Sequence, residues 1–157
     1  MRKSNREITD PADLIDILDK CDVCRIGLSE NGQPYIVPMN FGYRMDGNGL
    51  VLFFHCAAEG RKLDIIRLNN RACFEMDHLH VLKTGETACR YSMNYESIMG
   101  EGLIEAVVDR EEKMDALNLM MHHYSDRSDW VFDEATLAVT TVLRLRVKSF
   151  TGKRLQK

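Results

Sequence analysis

The chain has 157 residues, 45% of them hydrophobic and 29% charged, the size and make-up expected of a single globular domain spanning residues 1–157 that needs no disulfide or metal to hold its core. A net charge of −3 argues against nucleic acid as the main partner, because phosphate-backbone binding needs an electropositive footprint. No membrane partner is expected either, since the best apolar run, residues 50–55, is far too short to span a bilayer.

The basic start, residues 1–7, lacks the apolar stretch of a secretion signal. The five cysteines, Cys21, Cys24, Cys56, Cys73 and Cys89, are odd in number and irregular in spacing, which does not suggest a disulfide framework. Both features point to a cytoplasmic protein.

In chain order, the first element is a helix. Asp10 is a good N-cap and Pro11 a good first helical residue, and Leu14, Ile17 and Leu18 fall on one face before the helix ends near Lys20. Strand signals follow at residues 23–28, then the hairpin pair Asn31-Gly32, then residues 35–43. A second turn at residues 46–49 precedes the apolar run 50–55, which reads as a buried strand. These three strands are expected to form a meander. Gly60 opens a short helix through Leu68, residues 71–76 read as a fourth strand, and residues 79–86 as a polar connection. Residues 97–108 form a long strand interrupted by Gly100 and Gly102, where a bend or bulge is expected. Asp109 begins a helix with the stripe Met114, Leu117, Met121 and Tyr124, and Asp133 caps a further turn. The β-branched residues 140–147 close the sheet, and the tail at residues 151–154 is basic. Mostly antiparallel β with helices at the side makes a barrel or an α+β fold. An incomplete barrel leaves edges that need cover, and a second copy of the chain is the simplest cover.

The segment richest in chemistry is residues 54–62. A buried strand runs into small residues and then a helix start at Gly60-Arg61-Lys62. Unpaired amides at a helix start favour an anion. Gly60 permits close approach, Arg61 offers two parallel bonds to a phosphate, and Lys62 adds a point charge. By spacing alone the commoner arrangement, an N-cap followed by two solvated cations, is the better reading, because a basic pair after a glycine is common. Cys21-x-x-Cys24 has no second pair at zinc spacing and no preceding thioredoxin-like strand, so core packing is the better reading. His78 and His80, with Glu75 and Asp77 nearby, lack a zinc-site spacing. His122 and His123 are expected to be a solvated helix end. Tyr91, Tyr95 and Trp130 have faces suited to stacking, but aromatics in such places are more often core or interface; Tyr91 is the one weak candidate for contact with a planar ligand.

Three strings resemble the FMN-binding split β-barrels related to pyridoxamine 5′-phosphate oxidase, and within them the 5-nitroimidazole-resistance (Nim-type) branch. They are residues 55–62, residues 35–43, and Ser97-Ile98-Met99-Gly100-Glu101-Gly102. The resemblance runs from about Glu7 to Lys153. It implies a mainly β (α+β) fold, an antiparallel split β-barrel with flanking helices, binding FMN as a homodimer with flavin sites at the interface. Arg61 and Lys62 would hold the flavin phosphate at Gly60. Pro38, Met39 and Asn40 would line the ring, with Pro38 breaking the ladder there. His55 would lie by the flavin as a catalytic residue, and Ser97 would come from the other subunit. His78 and His80 would then belong to a polar strand end near the flavin or the dimer seam. Cys56 stands where a serine is usual and Asn70 where a proline is usual. The implied function is that of a flavin-dependent reductase or oxidase of a small organic acceptor, similar to a nitroimidazole reductase. Oxidase activity on a pyridoxine phosphate is not expected, because the tail at residues 153–157 only faintly resembles the tryptophan- and arginine-rich segment those enzymes use. The alternative is a non-catalytic flavin- or haem-binding module.

Overall fold

A computed structural model describes residues 4–156; the basic start at residues 1–3 and the final Lys157 lie outside them. A single 3-10 turn and the two-residue strand β1 (Glu7–Ile8) lead into α1 (Pro11–Lys20). Asp10 caps α1 by accepting from Ala12 N at 2.9 Å. The strands β2 (Cys24–Glu30) and β3 (Gln33–Met39) form a hairpin whose turn residues Asn31 and Gly32 both have positive φ, 52° and 81°. Two positive φ angles are what a two-residue hairpin turn of matching twist demands. A second hairpin, β4 (Gly42–Asp46) and β5 (Gly49–Ala57), follows after only Asn40 and Phe41. Then come α2 (Arg61–Leu68), β6 (Arg71–Lys83), β7 (Ser92–Ala106), α3 (Arg110–Tyr124), α4 (Glu134–Val139) and β8 (Thr140–Leu155).

The sheet order is β3-β2-β6-β7-β8-β5-β4, with β1 also paired to β8, and every pairing is antiparallel. The expected meander does not form. Its two hairpins sit at opposite ends of the sheet, because β8 takes the inner edge of β5 and β6 takes that of β2. Yet β3 and β4 are joined by two residues, so the outer strands must meet where that link runs. The sheet therefore curls almost closed without pairing β3 to β4, which is the split β-barrel with flanking helices.

The core has two parts. Inside the barrel, Leu50, Leu52 and Phe54 of β5 meet Ile26, Phe74, Ile98 and Leu145, and α1 and α2 cover it with Ile17, Leu18 and Ile65. On the other face of β5, Val51 and Phe53 pack against Ala116, Leu117 and Met120 of α3 and Leu137 of α4. The apolar run is thus buried on both faces, and each fully buried side chain of this size contributes about 1.5–3 kcal/mol. At Gly42 an added Cβ would lie 2.5 Å from Met120 N, so a residue without a side chain lets α3 sit directly on β4.

Several boundaries differ from the sequence reading. The fourth strand continues to Lys83 through an irregularity between His78 and Val81, where Leu79 adopts φ 61°. The register of β7 shifts between Glu101 and Gly102, the bulge expected there. The basic tail is the end of β8 and is not free: Arg154 pairs with the buried Glu96 and bonds Asp13 of α1 at 3.1 Å. Gln156 donates to the same Glu96 oxygen at 3.0 Å. His78 Nε2 comes within 2.7 Å of Glu96 Oε2, though not in hydrogen-bond alignment.

Candidate functional site

β5 ends where its burial ends. Val51 and Phe53 face α3 and α4, so by strand alternation His55 points to that same side, beyond the packed layer, and is exposed. Cys56 points the other way and packs against the barrel core. Burial pushes its thiol up from the ordinary value, against the opposing pull of Lys62, so it stands beside the site as a weak, protonated donor.

The ends of β3 and β5, the first turn of α2 and the start of β8 enclose a cleft of about 510 Å³. Pro38, Met39, Asn40, His55 and Lys62 all line it. Its volume lies in the ~300–1,000 Å³ range of small-ligand sites. Gly60 caps α2 with φ 136° and no side-chain bond, and nothing lies within 4 Å of where a Cβ would stand. A residue with a side chain would be strained at that φ. The α2 N-terminus therefore keeps its first amides open to an anion. The donor set of ammonium, open amides and an uncrowded glycine fits a phosphate group.

Arg61 and Ser97 lie outside this lining. Arg61 bonds Glu30 at 3.2 Å and rests over the Tyr35 ring, 4.9 Å from its centroid. The pair is exposed, and such pairs are worth at most about 1 kcal/mol. Ser97 is paired in register with Asp77 and Lys153, on the outer side of β7. His55 pairs with Val142, eleven positions before Lys153, so His55 and Ser97 stand towards opposite ends of β8, about 36 Å of strand apart at about 3.3 Å per residue.

At the C-terminal end of α3, His122 is exposed, as expected of a solvated helix end, but His123 is not free. His123 stacks on Phe41 at a ring separation of 4.3 Å and donates from Nε2 to Cys21 O at 2.7 Å. The Tyr124 hydroxyl accepts from Phe41 N at 3.1 Å and donates to Asp22 O at 2.8 Å. These bonds fix the β3–β4 link and hence Asn40. The stripe on α3 was legible as apolar, but the tandem Met120-Met121 that widens it toward His55 was not read as part of a site. Cys21 and Cys24 are buried core residues; desolvation pushes Cys21 up to about 12 and Cys24 higher still, which leaves both thiols inert. Among the described residues no three His, Cys, Asp or Glu side chains are placed to hold a metal ion, and no helix is long and apolar enough to cross a membrane.

The family model for pyridoxamine 5′-phosphate oxidase matches residues 10–154. No curated protein sequence matches the chain. Among solved structures, a candidate 5-nitroimidazole antibiotic resistance protein from Bacteroides thetaiotaomicron VPI-5482 is 34% identical with a TM-score of 0.81, the match covering 94% of this chain and 86% of that one. The flavocytochrome Anf3 from Azotobacter vinelandii is 19% identical with a TM-score of 0.82, covering 100% and 72%. The FAD and heme binding protein from Mycobacterium smegmatis is 19% identical with a TM-score of 0.81, covering 97% and 74%. At those lower identities the likeness is one of fold. A family match over nearly the whole chain, a split barrel and a 34% identical relative of the same shape lead to one conclusion: the chain belongs to the pyridoxamine 5′-phosphate oxidase family.

Proposed function

We propose that this chain is a one-domain FMN-binding flavoprotein that works as a homodimer and reduces a small organic acceptor of the nitroimidazole kind. The observation that carries the reading is the single cleft shared by Pro38, Met39, Asn40, His55 and Lys62, with the open N-terminus of α2 beside it. The neighbours described as a flavocytochrome and an FAD and heme binding protein support a flavin in this fold, and the nitroimidazole-resistance neighbour supports the acceptor.

Bound FMN would supply hydride or electron transfer to the acceptor. Lys62 and the first amides of α2 hold its phosphate. Arg61 joins them by exchanging Glu30 for the phosphate, which its guanidinium can grip with two parallel bonds. Pro38, having no N–H, leaves the edge of β3 open to a flat ring. His55 holds a proton at a ring nitrogen for the acceptor oxygen that gains charge. Ser97 serves the partner subunit's site. The outward residues Ile36 of β3 and Met99 and Leu103 of β7 are 68%, 56% and 49% exposed, an apolar face suited to a second copy.

The visible spectrum and light scattering of the purified protein, before and after addition of FMN, test the reading together. Flavin bands on a particle of twice 18.1 kDa are expected. A Soret band in their place, a colourless protein that takes up no FMN, or flavin bound to a monomer contradicts it.

A further inference from the structure

Beside the phosphate-binding cleft lies a second, half-open cavity of about 550 Å³, and the two share Asn40, His55 and Thr140. Leu117, Met120, Met121, Val131, Phe132 and Leu137 give it apolar walls. Most of its polar groups are already engaged. The Tyr124 hydroxyl is held by Phe41 N and Asp22 O. Asp133 accepts from the backbone N–H and the hydroxyl of Thr136, at 2.8 and 2.9 Å, and caps α4. Thr140 donates to Thr136 O at 2.8 Å. The side chains of Asn40 and His55, by contrast, have no partner among the described residues. The two unpaired polar side chains are therefore the two that stand where the cavities join.

Charge divides the cavities in the same way. Lys62 lines the first; no lysine or arginine lines the second. Its one ionisable acid, Asp133, is held below the ordinary carboxyl value by the Thr136 N–H and then by the Thr136 hydroxyl, so it carries a negative charge near neutral pH. An anion entering this space would lose water to apolar walls, find no lysine or arginine, and face a carboxylate.

We propose that this second cavity is the acceptor site and that it selects uncharged, largely apolar ring compounds whose single hydrogen-bonding group turns toward His55 and Asn40. Carboxylates and phosphates are excluded from it. Naming the occupant an acceptor rests on the flavin reading; the binding preference stands apart from it.

A matched pair of probes tests the preference: 4-nitrotoluene and 4-nitrobenzoate, alike in shape and different by one charge, titrated into the full-length chain by ligand-observed NMR. Wild type is expected to bind 4-nitrotoluene at least about tenfold more tightly, a difference of about 1.4 kcal/mol. Val131, 94% exposed at the rim, accepts a charge without disturbing the core. Val131→Lys should narrow the ratio about tenfold and leave FMN affinity unchanged. Met121→Trp should fill the cavity and abolish 4-nitrotoluene binding while FMN still binds. Equal affinity for both probes, no binding of 4-nitrotoluene, or undiminished binding in Met121→Trp overturns the proposal. If the preference holds but FMN does not bind, the flavin reading falls and the cavity's selectivity stands.

Discussion

At the scale of single residues, His55 is placed by parity. One residue earlier, Phe54 fills the barrel; one later, Cys56 turns back toward it. Only His55 projects past the end of the α3–α4 layer with an unpaired ring in a region lined by apolar side chains. His123, half-buried at the end of α3, is by contrast tied to Cys21 O. His55→Gln keeps some hydrogen bonding but cannot carry the proton. FMN affinity should stay within about threefold, while reduction of a test nitroaromatic slows by about 100-fold. The loss should be present throughout the range from about pH 6 to 8. Steady-state rates across that range check it, and a wild-type rate throughout refutes the proton-donor role. The candidate residues near Gly60 and Pro38 were legible in the sequence because their chemistry is local: a glycine before two cations, a proline in a strand. His123 was misread because its partners, Phe41 and Cys21, come from elements some 80 and 100 positions earlier, and a helix-end rule has no knowledge of them.

At the scale of elements, what is encoded locally was read correctly. Asp10, Asp109 and Asp133 each cap the helix expected after them, accepting from Ala12, Glu112 and Thr136 amides. The Asn31-Gly32 hairpin formed at the expected turn, with Glu30 paired to Gln33. The meander failed because its middle strand breaks at Asn40-Phe41 into β3 and β4, so each half keeps its own hairpin, and the free edge of β5 finds β8, far along the chain. The end of β6 was missed because Leu79, a residue poorly suited to positive φ, bends the strand without ending it. The seat of α3 on β4 is likewise invisible to periodicity, since it depends on a missing side chain. Gly42→Ala would drive a methyl against the backbone at Leu119 and Met120. We expect a loss of about 1–3 kcal/mol in urea unfolding, together with weakened binding in the cavity that α3 walls. A variant as stable as wild type would mean that α3 is free to shift and is not fixed by this contact.

At the scale of the whole molecule, one long strand organises the site. β8 pairs with β5 over residues 140–146 and with β7 over residues 143–155, so it joins the half of the barrel carrying His55 to the half carrying Ser97. The two residues are too far apart to share a ligand within one chain, and the apolar outer face of β3 and β7 suggests how a second copy brings them together. The split between β3 and β4 places Asn40 at the junction of a cationic cleft and an apolar cavity, one suited to a phosphate-bearing cofactor and the other to a neutral ring. Titration of FMN and of riboflavin into wild type and the Arg61→Ala/Lys62→Ala variant tests the phosphate clamp most directly. Two charge-assisted contacts at about 1.5–3 kcal/mol each predict at least about a 100-fold loss of FMN affinity, with riboflavin, which lacks the phosphate, changed by no more than about threefold. Equal losses for both ligands, or no loss for either, would contradict the account.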